Sequence, residues 1–144
     1  MQIRVIKLPD TARMPARGRA GAAGFDLFAD MAEEKVIAPH ETAMISTGLI
    51  MAITPGYFGA IFARSGLASR KGLRPANCVG VVDSDYRGEV LVALHNDSLS
   101  ERTVSPGERI AQLVLLPYPE AEFVEAESLD ETERGAGGFG STGR

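Results

Sequence analysis

Short apolar runs alternate with turn signals along most of the chain. Breakers such as Thr54-Pro55-Gly56 and Ser105-Pro106-Gly107 separate these runs at close spacing. Short strands between such turns are typical of an all-β sandwich or barrel. The first ten residues also resemble a strand, and only Ser65–Arg70 is expected to be helical. The pattern predicts strands at Met44–Thr47, Leu49–Ile53, Tyr57–Phe62, Val79–Val82, Glu89–Leu94, Arg109–Leu116 and Glu122–Ala126.

The 144 residues are enough for one domain with a substantial core, and no internal repeat divides them. We expect a single domain whose β-barrel body spans residues 1–117. Residues 118–133 carry seven acidic side chains and no Lys or Arg. Such a run is typical of a solvated spacer, so we expect an exposed acidic arm here. Residues 134–144 are rich in glycine and form the third segment.

Composition narrows the possible partners. The net charge of −4 argues against general nucleic-acid binding, which needs a basic face. An anionic ligand would therefore depend on a local basic cluster. No apolar stretch approaches the length of a transmembrane helix, and we expect no membrane association. Cys78 is the only cysteine, which excludes an internal disulfide framework or a Cys-rich metal site and predicts a reduced, cytoplasmic setting.

The segment Arg134–Arg144 has five glycines among its eleven residues. Closely spaced glycines let consecutive backbone N–H groups converge on phosphate oxygens, and Ser141 and Thr142 add donors. Phe139 would suit a lid over a flat base. The segment lacks the lysine of the P-loop pattern, which excludes that motif. Two interpretations stay open from these residues alone: a nucleotide-phosphate clamp, or a Gly/Ser-rich tail without a role.

Two internal segments combine charged and small residues in a way that suits an anion. Asp26 lies between two bulky apolar residues in Ala22–Leu27, and on its own it fits an edge or turn carboxylate. Arg64, Ser65 and Gly66 open the expected helix, where exposed backbone N–H groups favour negative charge. Ordinary capping of the helix by serine explains the same residues equally well.

Two further segments place polar side chains beside strands. Asp83 and Asp85 lie two residues apart at the tip of an expected hairpin, next to Tyr86. Either they form an Asp-rich β-turn, or one of them is a water-activating base with an aromatic wall beside it. Arg109 and Gln112 interrupt the start of an apolar strand. Gln112 is either a buried, hydrogen-bonded residue or a ligand contact.

Together these five segments resemble the homotrimeric dUTPases (deoxyuridine triphosphate nucleotidohydrolases). The resemblance runs from about residue 20 to residue 144, and the order of the segments is far more specific than any single motif. Glu108 stands where that family often has Asp, and no departure falls on a position that the family uses chemically. The segments that carry the resemblance are AGFDL, ARSGLA, GVVDSDYRGEV, GERIAQLV and RGAGGFGSTG.

The resemblance implies a jelly-roll-like β-barrel that forms a homotrimer with active sites shared between subunits. The C-terminal segment of one subunit would close over another subunit's site as a lid. The implied reaction is hydrolysis of dUTP to dUMP and pyrophosphate, which would limit uracil incorporation into DNA and supply dUMP for thymidylate synthesis. Mg²⁺ is the implied cofactor, bound through the triphosphate and without direct protein ligands. That arrangement agrees with the preference of Mg²⁺ for phosphates and waters.

The resemblance also implies roles for individual residues. Asp83 would orient and deprotonate the attacking water, and Tyr86 would pack on the deoxyribose where a 2′-hydroxyl would clash. Asn77 and the backbone around Gly80 would read uracil, and Asp26 would lie near the metal and its waters. The phosphates would be contacted by Arg64, Ser65, Gly66 and Gln112. The closing lid would consist of Arg134, Phe139, Gly140, Ser141 and Thr142.

Two alternatives are kept beside this interpretation. The dCTP deaminases share the trimeric barrel, but the DSDY segment and the complete glycine-rich lid favour phosphate hydrolysis. A nucleotide-binding regulatory protein built on the same fold is the non-enzymatic possibility. The intact Asp83, Tyr86 and C-terminal segment argue against lost catalysis. His40 and His95 are isolated in the sequence, and we expect structural roles for both.

Overall fold

The chain folds into short strands almost throughout. The computed structural model describes residues 1–138. The strands in this part of the chain are β1 (Arg4–Lys7), β2 (Phe25–Phe28), β3 (Lys35–Ile37), β4 (Thr42–Ser46), β5 (Leu49–Ala52), β6 (Tyr57–Phe62), β7 (Leu73–Pro75), β8 (Gly80–Val82), β9 (Leu91–Asn96), β10 (Arg102–Val104) and β11 (Arg109–Pro117).

The strands form two main sheets and two small ribbons, and every pair is antiparallel. The larger sheet has the order β2-β11-β6-β8, and a three-stranded sheet has the order β4-β9-β7. The ribbons are β1-β5 and β3-β10. This arrangement confirms the all-β class predicted from the apolar pattern and the jelly-roll-like barrel implied by the resemblance.

The core lies between the two main sheets. Buried and exposed residues alternate along the strands, as expected where one sheet face is solvated. In β9, Val92 and Leu94 are buried whereas Leu91 is exposed. Ile45 of β4 and Leu27 of β2 are fully buried in the same cluster. Burial of each such side chain contributes about 1.5–3 kcal/mol, so this core fixes the strand ends on which the site is built.

The short helix differs slightly from its expected position. It spans Leu67–Lys71, has π-type hydrogen bonding, and ends at Gly72. The φ angle of Gly72 is 70°, a left-handed conformation that glycine adopts without strain. No serine side chain caps this helix, since its N-cap is Gly66 and the cap makes no side-chain hydrogen bond. Within residues 1–138, no helix has the length and apolar character needed to cross a membrane.

The predicted strand at Glu122–Ala126 is wrong for the described chain. These residues form no strand, and Phe123 and Val124 are 100% and 77% exposed. The alternating pattern is present, but a strand also needs a neighbouring strand to accept and donate its backbone hydrogen bonds. In the part of the chain that the structure describes, no strand pairs with this segment.

Candidate active site

Asp26, Gln112 and Arg64 converge at one end of the four-stranded sheet. The strand register puts Asp26 of β2 opposite Gln112 of β11, and Gln112 opposite Phe62 of β6. Arg64 follows β6 by two residues. A cavity of about 310 Å³, called the arginine cavity below, opens here. Its lining residues are Gly18, Arg19, Ala22, Gly24, Asp26, Arg64, Ser65, Gly66, Arg109 and Gln112.

Asp26 organises the charges of the arginine cavity. Its carboxylate is only 15% exposed and accepts a hydrogen bond from Arg64 Nε at 2.8 Å and one from Arg109 Nη1 at 3.3 Å. The Arg64 Nη1 group also lies 3.4 Å from the Arg109 carbonyl oxygen. Arg19 also lines the cavity, so three arginines and one carboxylate contribute to its wall. Guanidinium groups held in this way favour a polyanion such as a phosphate chain.

Two glycines shape the same cavity. A Cβ atom on Gly24 would lie 2.5 Å from Gln112 Oε1, so only glycine lets Gln112 lie across β2. The Gln112 side chain is fixed further by its Nε2, which donates to the Ala63 carbonyl at 2.9 Å. A Cβ on Gly66 would meet no described atom within 4 Å, so the backbone beside Ser65 faces open space. Gln112 is thus hydrogen-bonded within the fold, and it also lines the cavity, where its side chain stands beside a space for a ligand.

A second cavity, of about 280 Å³, lies beside β8 and is called the hairpin cavity below. It brings together Asn77, Gly80, Asp83 and Tyr86, whereas Asp85 is not part of its wall. Mostly apolar walls with a few polar groups are typical of a small-molecule site. The lining residues are Met44, Ile61, Asn77, Gly80, Val81, Val82, Asp83, Tyr86, Glu89, Val90 and Leu91.

The hairpin between β7 and β8 turns tightly. Cys78 has a φ of 61°, which is unusual for a residue with a side chain. Its backbone N–H donates to the Pro75 carbonyl at 3.1 Å, and the Val79 N–H donates to the Asn77 carbonyl at 2.6 Å. A Cβ on Gly80 would come within 3.2 Å of Ile61, so glycine keeps the backbone close to the strand behind it. The turn places Asn77 and Gly80, its first and last residues, on the wall of the cavity.

An exposed ion pair supports the base of this hairpin. The Arg74 guanidinium binds both carboxylate oxygens of Asp97, and its Nη1 donates to the Pro75 carbonyl at 3.2 Å. The hydrogen bond from Arg74 lowers the pKa of Asp97 below its ordinary value, and the same bond raises the pKa of Arg74. His95 lies 3.3 Å from Asp97 and 3.0 Å from Thr42, contacts that fit the structural role expected for it.

The loop after β8 places Asp83 and Tyr86 at the cavity rim. The Tyr86 N–H donates to the Asp83 carbonyl at 3.2 Å, which closes a turn. The Tyr86 hydroxyl donates to the Glu89 carbonyl at 3.1 Å. Asp83 is exposed, and its carboxylate makes no hydrogen bond or ion pair with any residue in 1–138. The carboxylate is thus available to a ligand or a water in the cavity.

Asp83 and Arg64 are far apart within one chain. Gly59 of β6 pairs with Val82 of β8, so Asp83 lies next to Phe58, near the start of β6. Arg64 follows the end of the same strand, six residues beyond Phe58. At about 3.3 Å per residue, the two positions are separated by roughly 20 Å along the sheet. In the described part of the chain, the two cavities also share no lining residue.

The predicted lid residues fall in two classes. Arg134 is exposed, and its Nε donates to the Gly137 carbonyl at 2.8 Å, so it contacts neither cavity. Phe139, Gly140, Ser141 and Thr142 lie outside the described residues. Arg109 is a cavity residue to which the sequence alone assigned no role. Its position opposite Phe28 on β2 becomes visible only from the strand register.

No group of three or more His, Cys, Asp or Glu side chains that could hold a metal ion occurs among residues 1–138. Of the carboxylates in residues 1–138, only Asp26 lines the arginine cavity, and both of its oxygens accept hydrogen bonds from arginines. This donor set fits a cation that arrives on phosphate oxygens and keeps most of its waters, as Mg²⁺ commonly does.

Comparisons with known proteins agree on one family. A family model described as dUTPase matches residues 10–143. The chain is 50% identical to a deoxyuridine 5′-triphosphate nucleotidohydrolase of Wolinella succinogenes over 100% of this chain and 95% of that protein. A variant of the Staphylococcus bacteriophage 80alpha dUTPase, solved with dUpNHpp, has a TM-score of 0.90 and 31% identity, covering 99% of each chain. A dUTPase variant from phage phi11 of S. aureus, described with a structural Mg(II) ion, has a TM-score of 0.82 and 26% identity over 91% of this chain and 100% of that one.

Proposed function

Because this chain belongs to the dUTPase family, we propose that it hydrolyses dUTP to dUMP and pyrophosphate through attack of water on the α-phosphorus. Such an activity removes dUTP before polymerases can use it and supplies dUMP for thymidylate synthesis. The observation that carries the proposal is the pair of cavities: one suits a nucleoside beside a carboxylate, and the other suits a chain of phosphates.

In this proposal the hairpin cavity binds deoxyuridine. Asn77 and the backbone at Gly80 read the edge of uracil, and the tight turn leaves no room for a 5-methyl group. Tyr86 packs on the deoxyribose, so that a 2′-hydroxyl would clash with its ring. Support comes from the position of all three residues on one cavity wall and from the hydroxyl bond that fixes the Tyr86 ring.

Asp83 is the proposed general base. It accepts a proton from the attacking water while the water oxygen bonds to the α-phosphorus, and the bridging oxygen to the β-phosphorus departs with pyrophosphate. A general base of this kind typically contributes about 10²–10⁴ in rate. The absence of any partner for the carboxylate within residues 1–138 supports this role, because an ion pair would hold the proton acceptor elsewhere.

The arginine cavity is the proposed triphosphate site. Arg64, Gln112 and the backbone at Ser65–Gly66 contact phosphate oxygens, and Arg109 holds Asp26 in place beside them. Fixed cationic donors stabilise the charge that develops on the leaving pyrophosphate. Mg²⁺ bound to the triphosphate would neutralise part of that charge, and Asp26 would reach it through water. The lid residues Arg134 and Phe139–Thr142 complete the site by covering the base and the γ-phosphate.

The active site is proposed to be shared between copies of the chain in a homotrimer. A triphosphate extending from the hairpin cavity past Asp83 cannot also reach Arg64 of the same chain, about 20 Å away along β6 at strand spacing. A neighbouring subunit would supply the arginine cavity instead. The lid would likewise come from a neighbour, since Arg134 contacts neither cavity of its own chain.

The direct test is incubation of the purified protein with dUTP and Mg²⁺, followed by analysis of products. We expect dUMP and pyrophosphate in equal amounts, with little turnover of dCTP, dTTP or UTP. Asp83→Asn should lower kcat by about 10²-fold or more, because the amide keeps the shape but cannot accept the proton. Binding of dUpNHpp to that variant should be nearly unchanged. Release of ammonia from dCTP, or hydrolysis by Asp83→Asn above about a tenth of the normal rate, would contradict the proposal.

A further inference from the structure

The Glu89 side chain links the loop that carries Tyr86 to a distant turn. Its Oε1 accepts a hydrogen bond from the Gly48 backbone N–H at 2.8 Å and a second bond from the Ser46 hydroxyl. The Ser46 oxygen also accepts from the Gly48 N–H at 3.2 Å. Both donors belong to the turn between β4 and β5, 41 and 43 residues away in sequence. The half-buried carboxylate therefore joins two segments that meet only in the folded chain.

The turn that receives Glu89 is itself rigid. Gly48 has a φ of 65°, and a Cβ there would lie 2.6 Å from Asp30 Oδ2 and 2.7 Å from Ala12 Cβ. The Gly48 carbonyl accepts from the Leu8 N–H at 2.8 Å, and the Ser46 carbonyl accepts from the Asp30 N–H at 2.8 Å. This turn is thus enclosed on several sides and can serve as a fixed anchor.

The backbone of Glu89 holds the Tyr86 ring. The Tyr86 hydroxyl donates to the Glu89 carbonyl at 3.1 Å. The ring also folds back over Gly88, where a Cβ would lie 2.6 Å from the ring carbon Cζ. The next residue, Val90, makes two backbone hydrogen bonds. Its N–H donates to the Leu49 carbonyl at 2.8 Å, and its carbonyl accepts from Thr47 Oγ1 at 2.6 Å. Residue 89 is thus the first anchored position after the exposed loop.

We propose that Glu89 is a positioning residue that sets the selectivity for deoxyribose by holding Tyr86 in place. Its carboxylate fixes the end of the loop on the β4–β5 turn, and its carbonyl then fixes the Tyr86 hydroxyl. This inference rests on the proposed dUTP hydrolysis and on the packing of Tyr86 against the sugar. It assigns Glu89 no contact with the reacting atoms.

Selectivity is the property that should depend on this anchor. A pocket rejects an added hydroxyl poorly unless the wall at that position is rigid. Asp83, Asp85, Tyr86 and Arg87 are exposed, so the loop has little packing of its own to hold it. Release of the anchor would let the ring move away from C2′. UTP would then be accepted more readily, while dUTP would lose only part of its contact.

The first test compares kcat/KM for dUTP and UTP in Glu89→Ala. We expect the dUTP/UTP ratio of kcat/KM to fall about threefold to tenfold. This is the factor that one neutral hydrogen bond, such as that from the Tyr86 hydroxyl to the Glu89 carbonyl, commonly supplies. Glu89→Gln should largely restore the ratio, because the amide oxygen can accept from both Gly48 and Ser46. The matched control is Glu34→Ala, which removes another Ser–Glu bond, Ser105 Oγ to Glu34 Oε1 at 2.8 Å, away from both cavities. Its ratio should equal that of the unmodified protein.

The second test is a double-mutant cycle with Tyr86→Phe, which keeps the ring and removes the hydroxyl bond. If Glu89 acts through that bond, Glu89→Ala should change the ratio little in the Tyr86→Phe background. Full additivity would overturn the proposal. So would an unchanged ratio in Glu89→Ala, or a Glu89→Gln protein as unselective as Glu89→Ala. If the unmodified protein did not hydrolyse dUTP at all, the proposed function would fail instead. Ser46→Ala removes only one of the two donors and offers a milder variant if Glu89→Ala does not fold.

Discussion

Glycine at position 88 leaves the space that the Tyr86 ring occupies. An added Cβ would fall 2.6 Å from Tyr86 Cζ, so the ring would have to swing away. We expect Gly88→Ala to lower the selectivity for dUTP over UTP and to raise KM for dUTP, because the wall beside C2′ moves. Tyr86 is exposed and Gly88 is only half-buried, so Tm should change little. Steady-state kinetics with both nucleotides would measure the effect.

The control for this prediction is Gly21→Ala. A Cβ at Gly21 would meet no described atom within 4 Å, and its φ is not in the left-handed region. This variant carries the same backbone change without a collision and should keep the selectivity of the unmodified protein. Equal selectivity in Gly88→Ala and Gly21→Ala would mean that another residue reads the sugar.

At the residue scale, sequence identified the residues that lie in named motifs but not their partners. The family resemblance groups Asp83, Tyr86, Asn77 and Gly80, and the structure gathers them on one cavity wall. The two arginines that hold Asp26 are 38 and 83 residues away from it in sequence, and only the strand register brings them together. Glu89 shows the same limitation, since its partners lie on a turn that no local pattern connects to it.

At the scale of elements, the spacing of apolar residues and the turn signals between them predicted the longer strands. The apolar runs at 57–62 and 109–116 correspond to β6 and β11, the two central strands of the larger sheet. The strands β3, β7 and β10 have three residues each, which is too short to show a period. The opposite error occurred at Glu122–Ala126. That segment alternates apolar and polar residues but has no pairing partner in the described chain. Alternation predicts which face of a strand is buried, and it does not predict a neighbouring strand.

Deletion of residues 134–144 should separate folding from catalysis. The barrel core ends with β11 at Pro117, and residues 118–136 are exposed, so Tm without ligand should barely move. Hydrolysis of dUTP should nearly disappear. Arg134 would no longer reach the triphosphate, and water would no longer be excluded from the site. Phe139→Ala in the full chain should cost less, about 1–3 kcal/mol in the activation free energy by comparison with base stacking. Normal kcat/KM in the truncated protein would show that the segment is an inert tail.

At the scale of the whole molecule, the separation of Asp83 from Arg64 means that the proposed active site would need more than one copy of the chain. Neither local propensity nor core packing explains why the proposed base should lie near the start of β6 and the proposed phosphate contacts beyond its end. A closed ring of subunits would explain this placement, because a head-to-tail contact repeats the same two-sided interface until the ring closes. Three subunits, as in the family resemblance, would then carry three equivalent sites.

Mixed assemblies give the sharpest test of shared sites. Asp83→Asn and Arg64→Gln should each be nearly inactive alone. Equal amounts of the two variants are then unfolded and refolded together. A site is intact only where an Arg64→Gln chain supplies the hairpin cavity with Asp83 and an Asp83→Asn chain supplies the arginine cavity with Arg64. Random mixing around a symmetric ring should therefore restore about one quarter of the normal activity. The matched control refolds Asp83→Asn with Asp83→Ala, a pair that should stay inactive because every site lacks its base. Light scattering would verify that each preparation forms the same oligomer. Recovery no greater than that of the control pair, in assemblies shown to be mixed, would mean that each chain completes its own site.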